Sequence, residues 1–405
     1  MTNADRPISW VPGAHGSLWD VDNLPYGVFS RDSAVPAIGV RIGEYVVDVA
    51  KAARGETFED LLAHPTINPL LAAGPDTWSI IRVWMIDLLT DISQRVDVEP
   101  HLHPLEDIEL HLPIEVADYV DFYASLDHAS NVGKIFRPDA APLLPNWRHL
   151  PVGYHGRAGT VVVSGTDIIR PCGQRKQPDY AAPSVGPSER LDIEAELGFV
   201  VGVPSRIGTP VDADQFPEHV FGVVGLNDWS ARDIQAWEYV PLGPFLGKSF
   251  ATSISAWVTP LAALNHARVD LPAQDPEPLP YLRVGPGSGY DIEVEVEVNG
   301  DVVSRPPYRS MYWGPAQMLA HMTINGASLR SGDLFGSGTI SGPERGQRGS
   351  FLELSWGGSA PWSVKGSDRT FLEDGDEVIL HFTAPGAYGR IGLGEVHGII
   401  LPANP

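Results

Sequence analysis

The order of apolar and polar positions predicts a chain that is rich in β-strands. Residues 37–49 have the pattern of a small hairpin that turns at residues 43–44. Apolar residues then recur at helical spacing over residues 76–89, which predicts an amphipathic helix. Prolines interrupt the pattern after this helix, and an alternating stretch continues to Pro113. We therefore expect a domain boundary near that point.

The second part of the chain carries the stronger strand patterns. Residues 220–226 form a continuous apolar run, which is typical of a buried strand. Residues 290–298 alternate strictly and end in Asn299-Gly300, a strong hairpin signal. Shorter strand patterns occupy residues 160–164, 192–201 and 377–382. This part of the chain should be mainly β-structure with few helices.

Composition narrows the class of protein. A chain of 405 residues is too long for one typical core, so two domains are expected. The net charge of −23 argues against nucleic acid and anionic membranes as partners, and no apolar run has the length of a bilayer span. The single cysteine, Cys172, excludes an intrachain disulfide framework and a cysteine-based zinc cluster. The N-terminus shows no signal-peptide pattern, so we expect a cytoplasmic protein.

The segment after the apolar run at 220–226 carries the densest chemistry. Four of its polar residues have the spacing of one helix face: Asp228, Arg232, Gln235 and Tyr239. A generic helix with this pattern would present a solvated face with an Asp–Arg pair. Because Lys248 and Thr252 follow a turn rich in glycine and proline, where catalytic side chains often lie, we favour a functional segment.

Carboxylates elsewhere in the chain point to a metal site. Glu194 and Glu196 are two residues apart in a strand pattern, so their side chains face one side, with α-carbons about 6–7 Å apart. Asp121 and Asp228 bring the number of carboxylates to four, and Ca2+ or Mg2+ prefers such ligands when no soft ligand is present. Spacing alone leaves a solvated strand face as an equal alternative, and we expect that alternative to hold for the three glutamates within residues 293–297.

A candidate base lies close to one of these carboxylates. His128 follows Asp121 by seven positions, and imidazole titrates near neutral pH, although a histidine in an unknown loop is more often structural.

Several common catalytic patterns are missing: there is no Gly-x-Ser-x-Gly elbow and no His-Glu-x-x-His. The glycines of residues 389–398 do not have the dinucleotide-binding spacing.

Five blocks of the chain resemble the fumarylacetoacetase (fumarylacetoacetate hydrolase) family: residues 121–133, 144–157, 191–196, 227–250 and 337–342. The resemblance runs from about Asp118 to the C-terminus and is weaker before it. It implies a β-rich α+β fold, with a small SH3-like N-terminal domain (residues 1–117) and a catalytic domain (residues 118–405) built as a mixed β-sandwich roll. It further implies a homodimer that hydrolyses the diketo acid 4-fumarylacetoacetate to fumarate and acetoacetate, the last step of tyrosine and phenylalanine catabolism.

The resemblance also implies roles for individual residues. The ligands of a divalent metal, Ca2+ and/or Mg2+, would be Asp121, Glu194, Glu196 and Asp228. A second cation position would involve Asp228, Lys248 and Thr252. The base that activates water would be His128, oriented by Glu353, and developing negative charge would be stabilised by Arg232, Gln235 and Lys248. Substrate contacts would be Tyr123, Arg137, Gln235, Tyr239 and Thr339, with Tyr154 as a further pocket residue.

Two alternatives stay open at this point. The same superfamily fold supports acylpyruvate hydrolases, decarboxylases and isomerases, which usually have a shorter chain without this N-terminal domain; a histidine–carboxylate pair favours hydrolysis. A non-catalytic metal-binding protein would be expected to have lost one of the residues just named, and all are present.

Asp127 lies directly beside His128 and would raise the imidazole pKa if it pointed inward, but adjacent residues usually diverge, so we expect little effect. The segment 342–349 is more charged than the family pattern suggests.

Overall fold

A computed structural model describes residues 6–32, 34–176 and 181–404 of the chain. Within the described part of the first 117 residues, the strands are β1 (Tyr26–Ser30), β2 (Ala37–Ile42), β3 (Tyr45–Asp48), β4 (Leu102–Pro104) and β5 (Glu109–His111). The α-helices of that region are α1 (Val49–Ala52), α2 (Glu59–Leu62), α3 (Asn68–Ala72), α4 (Pro75–Thr90) and α5 (Arg95–Val98).

Both elements predicted in this region are confirmed. β2 and β3 pair as an antiparallel hairpin, and Gly43 adopts a φ of 56° at its turn, a conformation that glycine reaches without steric cost. Helix α4 buries Ile81, Met85 and Leu88 on one face, as the helical spacing of its apolar residues predicts. The face packs into an apolar core that the strands β1 and β2 also line.

The described part of residues 118–404 contains many more strands. They are β6 (Tyr119–Phe122), β7 (Gly153–His155), β8 (Val161–Val163), β9 (Ile168–Ile169), β10 (Cys172–Arg175), β11 (Ser184–Pro187), β12 (Leu191–Asp192), β13 (Ala195–Val201), β14 (Val220–Asp228), β15 (Ser230–Ala231), β16 (Thr252–Ile254), β17 (Trp257–Pro260), β18 (Arg268–Val269), β19 (Gly289–Tyr290), β20 (Glu293–Val298), β21 (Asp301–Ser304), β22 (Leu334–Gly336), β23 (Trp362–Val364), β24 (Ser367–Arg369), β25 (Glu377–Pro385) and β26 (Arg390–Leu401). Its α-helices are α6 (Leu126–Phe136), α7 (Phe216–His219), α8 (Arg232–Glu238), α9 (Pro315–Thr323) and α10 (Phe351–Leu354).

The largest sheet joins strands from both parts of the chain. Its main path runs β4-β3-β2-β1-β17-β14-β13-β22-β6-β7. All nine residues of β14 are buried, which explains why its sequence is apolar throughout instead of alternating. This order places the ends of β14, β13 and β6 near one another, although 107 positions separate Asp121 from Asp228 in the sequence.

A second sheet, ordered β21-β20-β25-β26-β9, supplies the other face of the main core. The hairpin between β20 and β21 is confirmed, since Asn299 and Gly300 both adopt positive φ, at 52° and 85°. Along β20 the valines are buried, whereas Glu293, Glu295 and Glu297 lie on the more exposed face. The solvated-face prediction for these glutamates is therefore confirmed.

Two local predictions differ from the structure. The strand predicted over residues 192–201 is interrupted at Ile193 and Glu194, between β12 and β13. Asp228 does not lie on the helix with Arg232: it ends β14, where it pairs with Thr252 of β16, and α8 begins only at Arg232. Residues 228–231 form strand pairs with β16 and β12, and this pairing prevents the helix that the spacing of their side chains predicted.

The described residues contain no helix with the length and apolar composition needed to span a bilayer.

Candidate active site

Four carboxylates converge at the ends of neighbouring strands. Asp121 lies on β6, Glu196 on β13 and Asp228 at the end of β14, while Glu194 occupies the break before β13. All four residues are buried, and one carboxylate oxygen of each lies within 4.8 Å of the others. The predicted meeting of these residues, which spacing in the sequence could not establish, is therefore present in the structure.

The strand break before β13 is held by its neighbour β14. The Asn227 side-chain oxygen accepts a hydrogen bond from the Glu194 N–H at 3.1 Å, and the Asp228 N–H donates to the Glu194 carbonyl at 3.2 Å. These bonds satisfy the backbone of Glu194, which a buried strand break would otherwise leave without partners. They also fix Glu194 next to Asp228.

The acidic cluster could hold a cation, because part of its negative charge has no positively charged partner. Asp121 Oδ1 and Glu196 Oε1 are buried without a hydrogen-bond partner among the described residues. Burial, reinforced by the charges of neighbouring carboxylates, raises the pKa of both groups well above their usual values. Gly336 lies against them, and a Cβ there would lie 2.9 Å from Asp121 Oδ1 and from Glu196 Oε2. An oxygen-lined space of this kind fits a hard divalent cation.

Two cations balance the other side of the cluster. The Lys248 ammonium contacts Glu194 and lies 2.7 Å from Asp228 Oδ2, and Arg232 Nη1 lies 2.8 Å from Glu194 Oε1. Burial alone would raise the pKa of Glu194, but the charges of Lys248 and Arg232 hold it well below the usual range. Thr252 Oγ1 donates to Asp228 Oδ1 at 3.1 Å, so this predicted pair is also in contact.

A histidine–carboxylate pair lies beside the cluster. His128 is in the first turn of α6, where the Ser125 side chain accepts a hydrogen bond from its backbone N–H. Its Nδ1 lies 2.7 Å from Glu353 Oε2, and its Nε2 lies 3.9 Å from Glu194 Oε1. Because a carboxylate accepts hydrogen bonds, we assign the proton to Nδ1, which leaves the Nε2 lone pair free.

Glu353 is kept ionised although it is fully buried. Burial alone would raise the pKa of Glu353, but His128 and the hydrogen bonds from Asn131 and Ser341 outweigh burial and hold the pKa below its usual value. The charged segment 342–349 contributes to its position, since Arg348 Nη1 donates to the Glu353 carbonyl at 2.7 Å.

A cavity of about 370 Å3 lies next to the acidic cluster and His128. Its wall includes Asp121 and Glu194 of the acidic cluster together with Lys248, His128 and Arg232. All six predicted substrate contacts also line it: Tyr123, Arg137, Tyr154, Gln235, Tyr239 and Thr339. Besides Asp121 Oδ1, three buried polar atoms of wall residues have no hydrogen-bond partner among the described residues: Arg137 Nε, Arg232 Nη2 and Thr339 Oγ1. Polar groups left free in this way are available to a ligand.

Asp127 lies outside the wall of the cavity, and its effect on His128 stays a prediction. It does not line the cavity, and no hydrogen bond joins it to His128 within the described part of the chain. Its carboxyl is half-buried, and burial, followed by the charge of Glu353, raises its pKa.

Sequence reasoning missed two residues that hydrogen-bond to the side chains of the site, Asp192 and Asn131. Asp192 accepts hydrogen bonds from Arg232 Nε at 2.7 Å and from the N–H groups of Phe351 and Leu352, so it joins the arginine to the helix that carries Glu353. Asn131 donates to Glu353. Asp192 lies in an alternating strand pattern that also holds Glu194 and Glu196, so nothing in its spacing identifies it as a supporting residue.

Comparison with known proteins agrees with this geometry. The family described as Fumarylacetoacetate (FAA) hydrolase C-terminal matches residues 118–398, and Fumarylacetoacetase N-terminal matches residues 22–113. Fumarylacetoacetase from Homo sapiens is 45% identical over 415 residues, covering 98% of this chain and 99% of the relative. The Arabidopsis thaliana fumarylacetoacetase is 42% identical over 416 residues, with the same coverage of 98% and 99%.

Solved structures share the fold at lower identity. A fumarylacetoacetate hydrolase from psychrophilic Exiguobacterium antarcticum superposes with a TM-score of 0.56 at 18% identity, covering 94% of this chain and 100% of that one. A maleylpyruvate hydrolase from Sphingobium sp. SYK-6 gives a TM-score of 0.53 at 15% identity with the same coverage of 94% and 100%. These likenesses confirm the predicted β-rich α+β fold. With both family models matched and relatives aligned along nearly its whole length, the chain belongs to the fumarylacetoacetase family.

Proposed function

We propose that this chain hydrolyses the carbon–carbon bond of 4-fumarylacetoacetate to give fumarate and acetoacetate, the last step of tyrosine and phenylalanine catabolism. The observation that carries the proposal is the pair His128–Glu353 at 2.7 Å, facing a buried cluster of four carboxylates across one cavity. The identity of 42–45% with fumarylacetoacetases along 98% of the chain supports the same substrate.

The His128–Glu353 pair can activate water without a covalent enzyme intermediate. Glu353 accepts a hydrogen bond from Nδ1–H and keeps the ring in the tautomer whose Nε2 takes a proton from water. The resulting hydroxide adds to the carbonyl carbon of the fumaryl group. The bond between this carbon and the neighbouring methylene carbon then breaks, and its electron pair leaves as the enolate of acetoacetate. The proton held on Nε2 can pass to that methylene carbon. Catalysis by His128 and Glu353 in these roles is part of the proposal.

We propose Asp121, Glu194, Glu196 and Asp228 as ligands of a divalent cation, Ca2+ or Mg2+. The buried, unsatisfied oxygens of Asp121 and Glu196, and a cluster made of carboxylates alone, suit a hard ion. Such an ion would supply Lewis acidity to the oxygens of the leaving enolate. Asp228 and Thr252 support a second cation position. The Lys248 ammonium has no lone pair to offer, so its side chain acts there as a counter-charge to the carboxylates.

Positive and amide groups face the place where negative charge develops. Arg232 Nη1 lies 3.1 Å from Gln235 Oε1, which fixes the arginine against α8 and leaves Nη2 free. We assign Arg232, Gln235 and Lys248 to stabilisation of the tetrahedral oxyanion. Removal of one such donor typically costs about 3 kcal/mol of transition-state stabilisation.

The outer wall of the cavity suits a substrate that ends in carboxylates. We assign Arg137, Tyr123, Tyr239 and Thr339 to the carboxylate and carbonyl oxygens of the substrate, because these side chains line the cavity as donors. Tyr154 donates to Asp228 Oδ2 at 3.2 Å, so we place it between the pocket and the metal ligands. Apolar side chains such as Phe136 and Trp147 exclude water from the rest of the wall.

The family resemblance also supports a homodimer and a cytoplasmic location. Residues 240–246 present several apolar side chains to solvent, including Leu242 at 95% and Phe245 at 56% exposure, and we propose this surface for a second copy. Sedimentation of the purified protein, compared with a Phe245→Glu variant, tests the dimer.

The first experiment follows the ultraviolet loss of fumarylacetoacetate before and after chelation by EDTA, and again after Mg2+ or Ca2+ is restored. Rapid loss that stops with EDTA and returns with the metal is expected. Acylpyruvates serve as the competing substrates, and His128→Gln is the control for contaminating activity. No loss of fumarylacetoacetate under any metal condition would reject this substrate, and turnover of acylpyruvates alone would assign the chain to that activity.

A further inference from the structure

The carboxylate of Glu353 is held at both of its oxygens. Its Oε2 faces three donors: His128 Nδ1 at 2.7 Å, Ser341 Oγ at 2.8 Å and Ser350 Oγ at 2.9 Å. Its Oε1 accepts a hydrogen bond at 2.9 Å from Asn131 Nδ2, the one donor that Oε1 has among the described residues. Because Glu353 is fully buried, these contacts take the place of water.

The bond from Asn131 sets the plane of this carboxylate. Donors on Oε2 restrain one oxygen of the carboxylate. The donor on Oε1 restrains the other, and the two oxygens together with the Cγ–Cδ bond define the plane. Hydrogen bonds prefer to approach an sp2 oxygen near that plane, so the plane determines how well the His128 N–H is aligned.

Asn131 can influence the substrate only through its neighbours. It follows His128 by three positions on α6, so both side chains lie on one helix face. His128, Ala129 and Val132 line the cavity, whereas Asn131 does not. The His128 ring also has an edge-to-face contact with Tyr123, at 5.3 Å between ring centres, and its Nε2 lies 3.9 Å from Glu194 Oε1. The hydrogen bond to Glu353, at 2.7 Å, is the shortest of these contacts and restrains the rotation of the ring.

We propose that Asn131 is a positioning residue for the hydrolysis: it locks the Glu353 carboxylate in the plane that holds His128 Nδ1–H and aims Nε2 at the attacking water. This inference rests on the proposed function. It concerns a residue that contacts neither the metal ligands nor the cavity, so its effect should appear in turnover and not in binding.

Asn131→Ala removes the donor and leaves Glu353 Oε1 buried without a partner. A hydrogen bond to a charged group contributes the equivalent of about 10- to 100-fold, so kcat should fall by about that factor. KM should stay within about twofold, because the substitution removes no cavity contact. Isothermal titration with Mg2+ should show an unchanged metal affinity, which reports that the fold is intact.

Three further variants separate positioning from a general structural effect. Asn131→Asp keeps the shape of the side chain but places an acceptor against Oε1, so its kcat should fall further than that of Asn131→Ala. Lys134→Ala changes an exposed residue of the same helix and should leave kcat unchanged. In a Glu353→Ala background, Asn131→Ala should cause no additional loss, since the carboxylate that it orients is gone.

The outcomes separate this inference from the proposed function. If Asn131→Ala keeps the kcat of the unsubstituted enzyme, or loses as much in the Glu353→Ala background as in the original one, Asn131 does not act through Glu353. If Asn131→Ala does not fold, as judged by circular dichroism, Asn131→Ser takes its place in the same comparison, with the same two results overturning the inference. If the unsubstituted protein hydrolyses no diketo acid, the proposed function is wrong and this inference fails with it.

Discussion

Asp192→Asn should be among the most destabilising isosteric substitutions in the chain. Asp192 is fully buried, and each of its oxygens accepts two hydrogen bonds. Oδ1 accepts from the N–H groups of Ile193 at 2.8 Å and Phe351 at 2.7 Å. Oδ2 accepts from Leu352 N–H at 3.0 Å and from Arg232 Nε at 2.7 Å. Burial raises the pKa of Asp192, but all four neighbours are donors, so the site is built for the ionised form.

The magnitude follows from counting these donors. An asparagine offers one oxygen, so in either orientation its NH2 group faces two donors for which the described residues offer no other acceptor. A buried donor without a partner costs about 1–3 kcal/mol. Asparagine is also neutral in either orientation, so the buried Arg232 loses one of its two carboxylate partners and keeps Glu194. Removal of one partner of a buried ion pair costs roughly 3–5 kcal/mol. We therefore expect a loss of about 2–6 kcal/mol in the free energy of unfolding.

Urea denaturation measures this loss, and the chain offers a matched control. Arg170 Nε donates to Asp374 Oδ1 at 2.6 Å, nearly the distance of the Arg232–Asp192 bond, but the Asp374 side chain is 42% exposed. Asp374→Asn should cost only about 0–1 kcal/mol. Equal losses for Asp192→Asn and Asp374→Asn would refute the argument that burial without alternative acceptors makes the difference.

Three further predictions concern the site. His128→Gln should lower kcat by about 10²- to 10⁴-fold while metal binding measured by titration calorimetry is unchanged; turnover within a few-fold of the original would exclude His128 as the base. Metal affinity should rise with pH, because burial and neighbouring charges raise the pKa values of Asp121 and Glu196 and their protons must leave before the ion binds. Calorimetry in two buffers of different ionisation enthalpy would show this proton release, and equal heats would contradict it. Gly336→Ala places a Cβ 2.9 Å from two cluster oxygens and should weaken metal binding by about 10- to 100-fold, with little change in thermal unfolding. An unchanged metal affinity would mean that the carboxylates can move aside without loss of binding.

The local part of the fold could be predicted from the sequence wherever one periodicity stood alone. Helix α4, the hairpin of β2 and β3, and the turn at Asn299 and Gly300 follow from the spacing of apolar residues and from glycine at positive φ. The prediction failed at Asp228, where helical spacing continued into a segment whose backbone pairs with β16 and β12. Spacing describes which side chains share a face, but it does not show which partner strand is present.

The candidate site could be predicted in its residue types, and the family resemblance named its members. The division into residues 1–117 and 118–405, the individual residue roles and the ion stay predictions. The supporting residues Asp192 and Asn131 could not be found in this way, because a buried acceptor is recognised by the donors around it, and those donors come from distant segments such as residues 351–353.

The sequence by itself determined that the protein is β-rich and acidic, and it placed several carboxylates, a histidine and two cationic side chains in recognisable blocks. The tertiary structure decided that these blocks form one site. The order β14-β13-β22-β6 brings Asp228, Glu196 and Asp121 to one end of a sheet, and α6 meets α10 so that His128 contacts Glu353. The physical reason is that side-chain periodicity is a property of one element, whereas convergence depends on how elements far apart in the chain pack to bury a shared core.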